Sequence, residues 1–325
     1  MKKALIASTA LVLSAGIAAA DVKISGYGRT GVIYYEDTEG NDTQIVSRLR
    51  MNLDASTTTD NGVDFGARFR LQWDQGSNFN TSRTNGAATN AGKLWVTASG
   101  VTVEVGNVDT AFDSNGLKDQ TELGAFDRSV GFSDVTGDFF SYSASSYGAS
   151  QANRVGVRVV YSFDDLKVQA SYVDPDQTGL NEDTHKEEYG FSVDYKWDDR
   201  LELSAAAAFN GAGIDGNDIY FIGARYAVNE QARIGLNFVD GGKEEDGFDG
   251  QTFAIYGDYT LADGLTNLEG YVAYNDADRN ITGRETKTAY GIGVNYDLGG
   301  ARLGASIQRD YYKDVTADFG VRFNF

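Results

Sequence analysis

The last eleven residues, Val315 to Phe325, read VTADFGVRFNF and alternate without a break. Val315, Ala317, Phe319, Val321, Phe323 and Phe325 fall on one side; Thr316, Asp318, Gly320, Arg322 and Asn324 fall on the other. Successive side chains leave a strand on opposite faces, so this is a strand between two different media. The same pattern recurs upstream. Val63, Phe65, Ala67, Phe69, Leu71 and Trp73 oppose Asp64, Arg68, Arg70 and Gln72, and Tyr189, Phe191, Val193, Tyr195 and Trp197 oppose Ser192, Asp194 and Lys196. Half-buried strands of a soluble sandwich also alternate, so the connections must decide.

Strands are expected near 22–36, 43–56, 63–74, 93–99, 101–107, 154–163, 166–173, 187–197, 201–210, 218–228, 231–240, 251–261, 265–275, 286–298, 301–311 and 315–325. Every second connection is a tight turn: Asp60-Asn61-Gly62, Ser99-Gly100, Asp164-Asp165, Asp198-Asp199-Arg200, Asn229-Glu230, Asp263-Gly264 and Gly299-Gly300. The others are longer and mostly acidic, such as DPDQTGLNEDTHK (174–186) and GGKEEDGFDG (241–250). Short turns on one side and long loops on the other describe an all-β, antiparallel, up-and-down transmembrane barrel of sixteen strands, a size that leaves an aqueous channel. Tyr34, Trp73, Tyr161, Tyr172, Trp197, Phe209, Phe238, Tyr259 and Tyr296 sit near strand ends on the apolar face, where interfacial girdles belong.

One stretch breaks the rhythm. From about 108 to 153 there is no apolar run at helical spacing, and a connection of about 45 residues in a compact domain is either functional or disordered. Its Phe112, Phe126, Phe132, Phe139, Phe140, Tyr142 and Tyr147 are too many aromatics for a solvated segment, so order is expected. It also carries Asp109, Asp113, Glu122, Asp127, Asp134 and Asp138. Against it, Arg29, Arg48, Arg50, Arg68 and Arg70 lie on the polar face of the first three strands, with Arg154 and Arg158 on the strand after the loop. Like charges on adjacent strands repel, and a pore has a use for them: an acidic loop opposed to a basic wall sets a transverse field at a constriction.

Composition narrows the rest. The 325 residues include no cysteine, one histidine, one proline and 39 glycines. That removes disulfides, thiol nucleophiles and most histidine chemistry, while scarce proline suits continuous ladders. The charge of −19 argues against nucleic acid. Residues 1–20 read as a signal peptide, with Lys2 and Lys3, an apolar Ala4–Leu13 and an Ala18-Ala19-Ala20 cleavage site before a single barrel domain, 21–325. Its removal would leave a charge of −21. No stretch is long enough for a transmembrane helix.

Two motifs fail on context. Gly26-Tyr27-Gly28-Arg29-Thr30-Gly31 spells a dinucleotide fingerprint but lies inside a strand with no helix after it, and its glycines suit close approach by a neighbouring strand or subunit. Asp174-Pro175-Asp176-Gln177-Thr178-Gly179 opens like a calcium loop, but His185 stands where the bidentate glutamate is needed, in an exposed setting. Where loop acids crowd, among Asp240, Glu244, Glu245, Asp246 and Asp249 or at Asp276 and Asp278, the pattern fits either looser calcium sites, with Asp240, Asp246 and Asp249 as the candidates, or a plainly solvated acidic loop. No hydrolytic constellation is present, so an enzyme is not expected.

Taken together, DVKISGYGRTGVIYYE (21–36), VEVGNVDTAFDS (103–114) leading into the long loop, and the terminal FGVRFNF resemble the general diffusion porins of Gram-negative bacteria, in particular the Rhodobacter-type porins of alphaproteobacteria. The resemblance spans nearly all of the sequence after residue 20. It implies a sixteen-stranded barrel with its third loop folded into the lumen, a homotrimer in outer-membrane lipid and lipopolysaccharide, and an aromatic terminus, Phe325, that the barrel assembly machinery reads. It also implies eyelet acids among the six loop carboxylates facing the five arginines, calcium near eyelet and loops, and no required cofactor. The chain lacks the P-E-F-G-G pattern of enterobacterial relatives. A saturable, substrate-specific channel and a barrel plugged by its own loop are the alternatives; cation or anion preference stays open.

Overall fold

The structure is a computed structural model, and it describes residues 21–36, 40–75, 87–90, 92–120, 123–126, 132–137, 139–144, 153–179, 185–242, 250–277 and 286–325. The strand segments in chain order are β1 (Asp21–Tyr35), β2 (Thr43–Thr58), β3 (Asp64–Gln75), β4 (Ala88–Thr89), β5 (Lys93–Ala98), β6 (Val101–Gly106), β7 (Val155–Phe163), β8 (Leu166–Asp174) and β9 (Glu188–Trp197). There follow β10 (Leu201–Phe209), β11 (Ile219–Ala227), β12 (Ala232–Asp240), β13 (Gln251–Thr260), β14 (Thr266–Asn275), β15 (Thr288–Asp297), β16 (Ala301–Arg309) and β17 (Val315–Asn324). Each pairs antiparallel with its neighbours, and β1 pairs with both β2 and β17, which closes the sheet.

Seventeen segments make sixteen staves. The two-residue β4 pairs with the far end of β3 through Leu71 and Gln72, and β5 pairs with the near end through Asp64–Arg68. They are one interrupted stave, of which the sequence pattern marks only the longer piece, since two residues have no period to read.

The alternation sorts inside from outside as expected. Phe69, Phe319 and Ile292 are each at least 59% exposed, and the aromatics Tyr34, Tyr161, Trp197, Tyr259 and Tyr296 join them on the outer surface. A water-soluble fold does not leave a whole circumference of large apolar side chains uncovered. The tight turns follow their sequences: Ser99 (φ 50°) and Gly100 (φ 80°) both take the left-handed conformation that matches the twist of a two-residue hairpin. The single proline, Pro175, falls just past β8, where no ladder hydrogen bond is lost.

The fingerprint-like glycines lie within β1. A Cβ at Gly28 would collide with the Phe323 ring of β17, and one at Gly26 with the Arg50 carbonyl of β2. Close strand approach explains them.

The core does not fill the barrel; it lies between the barrel wall and the connection from β6 to β7. Phe112 and Leu117 pack on Ala206, Ala208, Ile219, Phe221 and Val239. Leu123 and Val135 pack on Ala254, Tyr256, Tyr271, Ala273, Ala289 and Tyr311. Ala125 and Phe126 pack on Ile33 and Tyr35. Burying a Phe or Leu side chain stabilises by about 1.5–3 kcal/mol, so three such clusters hold the loop to the inner wall. One helical turn, α1 (Phe132–Thr136), lies within it, too short to show helical spacing in the sequence.

Candidate functional site

The inner wall makes room for the loop by omitting side chains. A Cβ at Gly304 would stand within 2.8 Å of the Gly124–Ala125 backbone, at Gly320 within 3.1 Å of Ala125 and Phe126, and at Gly291 and Gly293 within 3.1 Å of Leu123. A Cβ at Gly190 would strike the Ser171 hydroxyl that holds Ala111. Wall side chains then catch the loop backbone. The Ser171 hydroxyl accepts from Ala111 N–H (2.8 Å), Asp194 from Gly116 N–H (2.9 Å) and Asp318 from Ala125 N–H (2.9 Å). Fully buried Glu188 accepts from Tyr142 N–H (2.8 Å), the Ser141 hydroxyl (3.0 Å) and Ala212 N–H (2.7 Å). Arg154 fixes the returning limb, donating to Ser143 O (3.2 Å) with its guanidinium 4.9 Å from the Tyr142 ring.

Opposite lies the basic wall. Arg29, Arg48, Arg50, Arg68 and Arg70 all occupy inward positions on β1–β3. Arg48 pairs with Asp74, and Arg68 holds Asp54 with two bonds of 2.6 and 2.9 Å. Arg50 and Arg70 instead donate to neutral amides, Gln72 Oε1 (2.6 Å) and Asn52 Oδ1 (3.0 Å). Neither is hydrogen-bonded to a carboxylate of the wall among the described residues. Arg29 is covered by the loop, its guanidinium 5.3 Å from the Phe126 ring.

Register reveals more. Arg302, Arg322, Arg29 and Arg48 stand directly across from one another on β16, β17, β1 and β2, one cation per strand. Tyr27 gathers them: Arg322 lies 4.5 Å, Arg50 5.2 Å and Arg29 5.9 Å from its ring, and its hydroxyl accepts from Arg48 (3.4 Å). The ring face is where cations are attracted. Sequence reasoning missed Tyr27 and Arg302 as site residues because the row is assembled by pairing across the barrel seam. It also missed Glu104, an inward acid on β6 that Lys93 (2.7 Å) and Arg158 (2.6 Å) grip from both sides.

The loop acids separate. Asp109 lines a narrow crevice with Arg68, Arg70 and Lys93, and accepts from Ala144 N–H (2.9 Å), joining the outgoing and returning limbs. Asp113 lies 3.6 Å from the buried Lys118 ammonium, which also pairs with Asp119 (2.7 Å). Burial raises the Asp113 carboxyl to about 6; Lys118 opposes the rise, and Asp109 and Asp119 add to it. Lys118 is itself disfavoured by burial, yet Asp119 and Asp113 outweigh that and hold its pKa above the usual lysine value. Asp134 is turned into the far wall, accepting from the Tyr271 hydroxyl (2.7 Å), while its carbonyl accepts from Tyr311 (2.7 Å). Glu122, Asp127 and Asp138 lie outside the described residues, as do Asp246 and Asp249. Asp240 accepts from Gly242 N–H (3.3 Å) and Gln251 (3.4 Å), and among the described residues no three acids, histidines or cysteines cluster as a metal site.

A closed barrel with an apolar outside, a polar inside and a loop narrowing its lumen defines, as a class, a membrane diffusion channel. The model of the Gram-negative porin family matches residues 7–315. A porin of Fuscovulum blasticum is 42% identical over 310 residues, covering 94% of this chain and all of that protein, and a porin of Rhodobacter capsulatus is 28% identical over 335 residues with the same coverage. Among solved structures, a triple mutant of Rhodopseudomonas blastica porin superposes with a TM-score of 0.82 at 38% identity, covering 94% of this chain and all of that one. The chain belongs to the Gram-negative porin family. It is an outer-membrane barrel for the passive diffusion of ions and small hydrophilic solutes.

Proposed function

We propose that permeation is filtered at the gap between the loop and the Arg48–Arg50–Arg70 face of the wall, with Asp109 and Asp113 supplying the opposing charge. The observation that carries this is the asymmetry of partners: among the described residues, Arg50 and Arg70 donate to neutral amides where Arg48 and Arg68 donate to carboxylates. No reaction is involved; transport is down a gradient, and the lumenal field sets which ions accumulate. Single-channel recording in a planar bilayer tests this. Ohmic openings with a reversal potential that responds to Arg50→Gln support it, and an unchanged potential sinks it.

The finer parts of the reading are a signal peptide cleaved after Ala20, a homotrimer, assembly through Phe325, and an envelope of outer-membrane lipid and lipopolysaccharide. For the trimer, the outer face of β1–β2 carries an exposed Thr30 whose hydroxyl bonds Ser47 Oγ (2.8 Å). Small and polar groups within a membrane-facing surface suit a protein contact better than lipid. Calcium bridging Asp240, Asp246 and Asp249 is an accessory of the same reading, tested by whether chelation lowers thermal stability.

A further inference from the structure

The connection from β10 to β11, residues 210–218, lies on the long-loop side of the barrel and meets the returning limb of the constriction loop. The buried Asn217 amide donates to Phe140 O (3.1 Å) and to Gly211 O (2.9 Å), so one side chain ties the two segments together. The fit has no slack. A Cβ at Gly211 would collide with Phe140 O, and one at Gly213 would stand 2.7 Å from the Tyr142 hydroxyl. Asn210 (φ 53°) and Ala212 (φ 56°) both take the left-handed conformation. A non-glycine residue such as Ala212 keeps that backbone only where its surroundings over-determine it. Here the Ala212 N–H donates to Glu188 (2.7 Å).

Glu188, the first residue of β9, is the hub. Its side chain is fully buried, and its hydrogen-bond partners among the described residues are the Ser141 hydroxyl (3.0 Å), Tyr142 N–H (2.8 Å) and Ala212 N–H (2.7 Å). Two of these donors come from the constriction loop and one from the β10–β11 connection. A buried acceptor stripped of its donors carries the full desolvation penalty, so the three contacts hold or fail together. The chain of contacts runs on to the pore. Ser141 Oγ lies 3.5 Å from Thr110 Oγ1, and the Thr110 hydroxyl accepts from Asp113 N–H (3.2 Å).

We propose that Glu188 and Asn217 are positioning residues for the constriction, and that the β10–β11 connection is a strap which sets the bore by holding residues 140–142 in place. Pore diameter and the charges that line it decide which solutes pass, so the strap acts on selectivity without touching a solute. The proposal rests on the reading of the loop as the constriction and adds the element that fixes its position.

The test is single-channel recording in a planar bilayer, with a graded series of polyethylene glycols to read the size cut-off and a salt gradient to read the reversal potential. Glu188→Ala and Asn217→Ala are each expected to raise the conductance, admit a larger polyethylene glycol and shift the reversal potential. Glu188→Gln is expected to stay at wild-type values, because its amide oxygen can accept from both N–H groups while its NH₂ donates to Ser141. Heat-resistant barrels on gels report folding. Should Glu188→Ala not fold, Asn217→Ala, with Asn217→Ser as the milder variant, decides the matter with every charge in place. Wild-type conductance and cut-off in the folded alanine variants overturn the proposal. Equal changes in Glu188→Gln and Glu188→Ala, with none in Asn217→Ala, overturn it in favour of a plain charge effect of the carboxylate. In either case a reversal potential that still responds to Arg50→Gln leaves the constriction reading standing, and loss of that response overturns both.

Discussion

Arg322 on the last strand stands directly across from Arg29 on the first, so two cations face each other at the seam where the barrel closes. The row continues to Arg48, which has Asp74 as its counter-ion, while the neighbouring Arg50 and Arg70 donate to amides among the described residues. Replacing Arg50 and Arg70 by glutamine therefore removes charge without stranding a carboxylate. At ~8 Å in water a unit charge shifts an ion's energy by about 0.5 kcal/mol, roughly a twofold change in local concentration. Reversal potential in a salt gradient should move toward cations by that order per arginine, with barrel yield unchanged.

Asp113 is expected to make selectivity depend on pH. With its pKa held at about 6 by burial, the carboxyl is charged at pH 7.5 and neutral at pH 5. Lowering the pH through 6 should shift the reversal potential toward anions, and Asp113→Asn should abolish that step. The sign for stability is fixed too. A folded pKa above the ordinary carboxylate value of about 3.9 means protonation favours the folded loop, a contribution complete at low pH and lost as pH rises through about 6.

Phe112 is fully buried between loop and wall, edge-on to Phe139 at 5.1 Å. Truncation to alanine should cost about 3–5 kcal/mol of packing. The backbone ladders of the barrel do not depend on it, so the loss should fall on the seating of the loop. Phe112→Ala should give larger, noisier openings in single-channel records with normal heat-resistant barrels on gels; unchanged conductance would mean the loop does not set the bore.

The backbone and the ring of Phe325 can be tested separately. Its N–H donates to Gly26 O (3.0 Å) and its carbonyl accepts from Gly26 N–H (2.8 Å), which zips the seam, while its ring lies on the outer surface. Phe325→Ala keeps the backbone pairs and removes only the ring. A fall in outer-membrane insertion for Phe325→Ala, without a fall in stability of the protein that does insert, would assign the ring to assembly; a defect only on deleting the residue would assign it to closure.

The staves were legible because each strand separates two media and writes that difference at every second residue. The basic wall was legible for the same reason: Arg29, Arg48, Arg50, Arg68 and Arg70 share a parity with their polar neighbours. Partnership across the barrel was not. Nothing near Arg302 in the sequence signals Arg322 and Arg29 beside it, and nothing near Asp134 signals that Tyr271, 137 residues later, turns it away from the arginines. Six loop acids looked equivalent as a string; Asp109, Asp113 and Asp134 meet a crevice, a lysine and a tyrosine only after the loop has found its seats.

Those seats are glycines, and they have an implication for how such a channel diversifies. Gly190, Gly291, Gly293, Gly304 and Gly320 occupy inward positions, so the lipid has no vote on them. A single methyl at Gly304 would lift the loop off its track while leaving every membrane-facing residue untouched. The bore can thus be retuned one inward residue at a time on a chassis whose outer surface, and whose passage into the membrane, stays the same.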